Sequence, residues 1–158
     1  MALSATIKNV QEVAEWLKAD YVATEWRPVP LREGVVFREE VQFKDGDARR
    51  IERKTRDPNI NLVLETIKLG GQALVFANTR RRAVALAKKA TKKVDELLSK
   101  PLKRSLKRDA KKILAAGERT RLSELLAGLV EHGTAFHHAG LGSVHRKIVE
   151  DSFRNGKI

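Results

Sequence analysis

The sequence predicts an α/β protein: a parallel sheet flanked by helices, with an antiparallel hairpin and a basic helical excursion added to it. Three observations predict this. Short apolar runs such as Gln72-Ala73-Leu74-Val75-Phe76-Ala77 alternate with stretches of helical spacing. Prolines and paired glycines punctuate nearly every change of period. With 158 residues, 42% of them hydrophobic and 33% charged, the chain can bury one sizeable core while remaining unusually ionic.

Residues 9–18 place Val10, Val13, Ala14 and Leu17 on one helical face, with Asn9 at the cap and Glu12 at the capping-box position. Tyr21-Val22-Ala23-Thr24 reads as a strand, halted by Trp26-Arg27-Pro28-Val29-Pro30. Val35-Val36-Phe37 and Val41-Gln42-Phe43 read as an antiparallel hairpin that closes at Asp45-Gly46-Asp47. Pro58 opens a helix with a stripe at Ile60, Val63, Leu64 and Ile67, and Gly70-Gly71 ends it. The strand at 72–77 then leads into a helix over about 80–98.

Ser99-Lys100-Pro101 breaks that helix, and a second basic helix follows from Leu102 to Ala116. A third carries Leu122, Leu125, Leu126, Leu129 and Val130 on one face and stops at Gly133. Residues 134–138 read as a strand and 139–142 as a loop. A final helix carries Ile148, Val149 and Phe153. Without the excursion over 99–131, strand and helix alternate in the manner of a parallel sheet covered on both faces.

Charge is concentrated. Residues 80–112 hold 14 Lys/Arg against 3 Asp/Glu, almost the whole net charge of +12. Localised positive charge points to a binding face for polyanions. Two loops fall at the carboxyl ends of predicted strands, Asn78-Thr79-Arg80-Arg81 and His138-Ala139-Gly140-Leu141. In a parallel sheet they share one rim. Thr79 is an N-cap that leaves the first N–H groups of a helix free for an anion. The alternative is that Thr79 only caps, and that Arg80, Arg81 and Arg82 are solvated. The 102–112 run is likewise either a phosphate-binding face or a solvated one.

His137 and His138 point to opposite faces of a strand, so the pair cannot jointly hold a metal, and no metal site is expected. There is no Gly-x4-Gly-Lys-Ser/Thr phosphate loop and no Asp-Glu-x-His pair, so no catalytic residue is assigned. Five Phe, two Trp and one Tyr are too few for a broad base-stacking surface. The absence of cysteine excludes disulfides and fits the cytosol. No apolar run reaches the roughly 18 residues of a membrane span. Both termini suggest an excised fragment: Leu3-Ser4-Ala5-Thr6 starts abruptly, and Asn155-Gly156-Lys157-Ile158 reads as a helix stop entering another strand.

Four stretches resemble a family in order. Leu3-Ser4-Ala5-Thr6 resembles motif III of superfamily-two helicases, and Trp26-Arg27-Pro28-Val29-Pro30-Leu31 is similar to the entry into their second RecA-like domain. Residues 73–81 resemble motif IV. Residues 135–141, with His145-Arg146 and Val149-Glu150-Asp151-Ser152-Phe153-Arg154, resemble motif IVa and its helix. Together they resemble archaeal Ski2-like DNA helicases of the Hjm type, relatives of the polymerase-theta helicase domain. The resemblance covers nearly the whole chain, with 90–131 least constrained. Gly142 departs from it, since Pro or Ser often stands there.

The resemblance implies a partial RecA-like fold. Residues 1–19 would end the first RecA-like domain, and residues 20–158 would begin the second, truncated before motif V. The implied parent is an ATP-dependent 3′–5′ DNA helicase acting in repair and recombination at stalled forks, using ATP and Mg2+. The fragment alone would bind neither and would be inactive. Ser4, Ala5 and Thr6 would couple hydrolysis to DNA movement. Asn78, Thr79, Arg80, Arg81, His138, Ala139, Gly140 and Leu141 would contact single-stranded or forked DNA. Implied too are repair or replication partners, a cytoplasmic, nucleoid-associated location, and self-association of the truncated sheet. An RNA helicase of the same branch and a basic module without a motor are the alternatives.

Overall fold

The structure is a computed structural model and describes Ile7, residues 9–24 and residues 26–158. The described residues are mixed α/β, with six helices and a three-stranded antiparallel sheet. They form two compact units that divide between Glu33 and Gly34.

In the first unit, helix α1 (Val10–Leu17) buries Ala14. Asn9 stands at the cap position without capping. Its side-chain amide instead donates to Glu12 Oε2 at 2.9 Å, so the two side chains engage each other in place of the backbone. Lys18, at φ 50°, closes the helix with a left-handed turn in which the Ala19 N–H reaches Ala14 O at 3.0 Å. Residues 21–24 join no ladder among the described residues, contrary to the strand expected there.

The second unit opens with β1 (Gly34–Phe37), β2 (Glu40–Phe43) and β3 (Ala48–Arg50), paired antiparallel in that order. The expected hairpin is present, but it closes elsewhere. Phe37 pairs with Glu40, so Arg38 and Glu39 form its two-residue turn, with Arg38 at φ 55°. Asp45-Gly46-Asp47 closes a second hairpin onto β3, helped by Gly46 at φ 88°. The sequence hides β3 because Ala48-Arg49-Arg50 has no apolar alternation.

Helix α2 (Pro58–Lys68) starts where Asp57 accepts the Asn59 N–H at 3.1 Å, with Pro58 in the first turn. Buried Asn61 accepts the Thr55 N–H at 2.7 Å and donates to Thr55 O at 3.0 Å, fixing the loop before the helix. Helix α3 (Arg80–Asp95) is rich in alanine, which favours helix and permits close packing. Ser99 caps α4 (Lys100–Ala115), so Ser99-Lys100-Pro101 ends one helix by starting the next. Helix α5 (Arg121–Glu131) carries a reciprocal Thr120–Ser123 capping box, and α6 (Ser143–Arg154) follows the 138–142 loop.

Two packed clusters hold this unit. In one, Leu106 and Ile113 of α4 meet Leu126 and Val130 of α5, with Phe136, Leu141 and Val149. In the other, Ile60 and Leu64 of α2 meet Ala90 and Val94 of α3. Residues 72–77 and 134–138 are extended in sequence pattern but belong to no ladder among the described residues. Both line an apolar hollow of about 710 Å³ whose floor is α3. Leu74 and Phe76 stand 66% and 88% exposed.

Asp109 ties α4 to the end of the chain. Its side chain is buried, with Lys157 Nζ at 2.7 Å, Lys112 Nζ at 3.0 Å and Ser152 Oγ at 3.4 Å. Burial pushes its pKa up, but the two ammonium groups outweigh burial and hold the carboxyl below its ordinary value. The stabilisation is therefore complete above the ordinary carboxylate range and is lost as pH falls through the lowered folded value. Asp109→Asn should cost about 2 kcal/mol in urea denaturation at neutral pH. The deficit should shrink as pH falls through that lowered value, where the parent carboxyl is also protonated.

Candidate nucleic-acid interface

The interface is built from the start of α3 and the loop before α6. Thr79 is extended (φ −139°, ψ 152°), and its hydroxyl accepts the Arg82 N–H at 3.2 Å. That satisfies one of the four backbone donors a helix start leaves over; the N–H groups of Arg80 and Arg81 precede the first intrahelical donor, Ala83 N–H, which reaches Thr79 O at 3.0 Å. The positive end of the helix dipole and two backbone donors therefore lie beside three exposed arginines. None of the three forms an ion pair among the described residues.

The second loop turns through a His138 O to Leu141 N–H bond of 3.0 Å. His138 Nδ1 accepts the Gly140 N–H at 3.1 Å, and its ring stacks on buried Phe136 with centroids 5.2 Å apart. The backbone bond makes Nδ1 the acceptor, so in the neutral ring the proton sits on Nε2. Space at Gly140 is tight: a Cβ there would lie 3.0 Å from the His138 ring, which would have to give, and 3.7 Å from Arg80 Nη1. The Arg80 guanidinium thus reaches the second loop, and residues 60 positions apart in sequence meet on one rim.

The expected residues take different places on it. Asn78, Thr79, Arg80, Arg81, Ala139 and Gly140 line the rim, and His138 is half-buried. Leu141 is not a surface contact: the whole residue is 3% exposed and anchors the loop in the core, and its N–H and carbonyl are both bonded within the fold. Ser4, Ala5 and Thr6 lie outside the described residues. His137 turns away from His138 and pairs with Glu150 Oε1 at 3.0 Å. His145 is buried and its Nε2–H donates to Ile113 O at 3.1 Å, joining α6 to the end of α4.

Sequence reasoning gave no role to Arg146, whose Nη1 donates to Leu141 O at 2.6 Å and braces the loop. Spacing could have flagged it, since it lies one turn into the helix that follows. Thr91 is a second omission: its hydroxyl meets that of Thr134 at 2.8 Å and holds 134–138 against α3.

The sequence has no phosphate-loop pattern, and among the described residues no three His, Cys, Asp or Glu converge as metal ligands. No helix among the described residues is long and apolar enough to cross a membrane.

Comparison with curated proteins gives the class. The chain matches archaeal helicases along its full length at 37–44% identity, and it belongs to the archaeal Ski2-like superfamily-two helicases. It is 44% identical to the ATP-dependent DNA helicase Hel308 of Methanocaldococcus jannaschii, and 42% identical to those of Thermococcus kodakarensis and Pyrobaculum calidifontis. All of this chain is covered in each case. It spans 13% of the first two relatives and 22% of the third. No protein-family model matches the chain.

Thr79→Ala should destabilise the second unit by about 1 kcal/mol through loss of the cap. Thr79→Ser should restore most of it. Thermal or urea unfolding of the two variants checks both.

Proposed function

We propose that this chain supplies one half of a single-stranded DNA track in an ATP-dependent 3′–5′ DNA helicase that works in repair and recombination at stalled forks. The observation that carries the reading is the meeting of Arg80 with the Gly140 loop beside the open start of α3. Backbone N–H groups, unpaired guanidinium groups and the Nε2–H of His138 are all donors, and no carboxylate stands among the rim residues. A phosphate backbone fits that set. Relatives that are named DNA helicases favour DNA over RNA.

In this reading the chain is part of a RecA-like domain. Residues 72–77 and 134–138 are two strands of its parallel sheet, and the hollow between them is the place of a further strand. Gln72 Nε2 donates to Phe153 O at 2.9 Å and to Ile158 O at 2.5 Å, and these residues line that hollow. Residues 1–19 then close the preceding RecA-like domain, where Ser4, Ala5 and Thr6 couple ATP hydrolysis to strand movement. ATP and Mg2+ act in the longer protein, and this chain alone does not turn ATP over.

Arg80→Ala/Arg81→Ala should weaken binding of oligothymidylate and mixed-sequence single strands equally. Fluorescence anisotropy across salt should show the slope of log affinity against log salt falling by about 0.7 for each phosphate no longer held. Unchanged affinity and slope would remove the rim from the track. DNA-stimulated ATP turnover by the purified chain would contradict the assignment of hydrolysis to the longer protein.

A further inference from the structure

Helix α4 carries seven Lys/Arg and one acid, and the structure divides them into two sets. Lys103, Lys107 and Lys112 pair with Asp95, Glu131 and Asp109 at 2.8, 3.9 and 3.0 Å. Lys100, Arg104, Arg108 and Lys111 pair with no acid among the described residues, and all four are exposed. Their spacing of i, i+4, i+8 and i+11 puts them within an arc of about 80°, opposite the face that buries Leu106 and Ile113. They run about 16 Å along the helix.

A face that serves only solubility mixes signs, because Glu–Lys pairs one turn apart stabilise a helix. Here the one acid, Asp109, is turned into the core. Neighbours one turn apart, Lys100 with Arg104 and Arg104 with Arg108, are of like sign, which costs about 0.2–0.5 kcal/mol each. The face also has no aromatic residue on which a base could stack. It can read charge but not bases. A rigid line of cations suits a backbone whose phosphates are already fixed in space, since a flexible single strand would have to be ordered along it.

We propose that the outward face of α4 is a second DNA site, separate from the rim, that binds the phosphate backbone of duplex DNA. It rests on the nucleic-acid reading of this chain and adds the duplex to it. The end of α4 is placed for this: the His145 bond to Ile113 O sets it beside the start of α6, immediately after the rim loop.

The test is a double comparison by fluorescence anisotropy, using a mixed-sequence 20-base-pair duplex and a 20-nucleotide oligothymidylate. Lys100→Gln/Arg104→Gln/Arg108→Gln/Lys111→Gln should lose at least about tenfold in duplex affinity at moderate salt, and its salt slope should fall by about 3 to 4. Its oligothymidylate affinity should stay within about twofold. Arg80→Ala/Arg81→Ala should do the reverse. Circular dichroism should show the α4 variant fully folded, since the changes remove like-charge repulsion. Parental duplex binding by the α4 variant, or equal loss on both probes, overturns the proposal. If the parent does not bind oligothymidylate at all, the rim reading fails, while the duplex comparison still decides the α4 site.

Discussion

Helix α3 is packed on two sides, and that double packing fixes where its first turn points. Ala87 belongs to the cluster formed with α4, α5 and α6, whereas Ala90 and Val94 belong to the cluster formed with α2. The small side chains let both neighbours approach, and Gly133 passes so close that a Cβ would stand 2.9 Å from Leu98 and 3.2 Å from Val94. Polar ties add direction: Asp95 holds Lys103 at 2.8 Å and His132 at 3.1 Å, and Thr91 holds Thr134. The Asp95 carboxyl is kept below its ordinary pKa by Lys103 first and His132 second. With its length so anchored, α3 presents Thr79 and its arginines at a set place on the rim.

The large positive charge of residues 80–112 resolves into parts with different roles. Among the described residues, five of its fourteen cations pair with acids: Lys89, Lys93, Lys103, Lys107 and Lys112. Exposed pairs of this kind contribute little to stability, but they remove those cations from competition for a polyanion. Among those left unpaired, the arginines at the start of α3 sit beside open backbone donors, and the α4 set lies along a straight face. The first arrangement can grip individual phosphates; the second offers a field of fixed spacing.

Helices were legible in the sequence because apolar period and caps agree, as at Pro58, Thr79 and Gly133. The hairpin was legible too, but its turn was misplaced, because Asp45-Gly46-Asp47 is the stronger turn signal and conceals β3. The runs at 72–77 and 134–138 carry strand composition without ladder partners, since pairing depends on a neighbour that composition cannot show. The expected rim residues were chosen by their place after those runs. The inward turn of Leu141, the brace from Arg146 and the partition of the α4 cations depend on tertiary contacts, so spacing alone could not reveal them.

The central claim is that two loops distant in sequence act as one phosphate-binding rim. Titration of the isotopically labelled chain with oligothymidylate, followed by amide and arginine Nε resonances, tests it most directly. Arg80, Arg81 and Gly140 should shift together with a single midpoint, and that midpoint should weaken as salt is raised. Movement of the α3 start without the Gly140 loop, or two distinct midpoints, would contradict it.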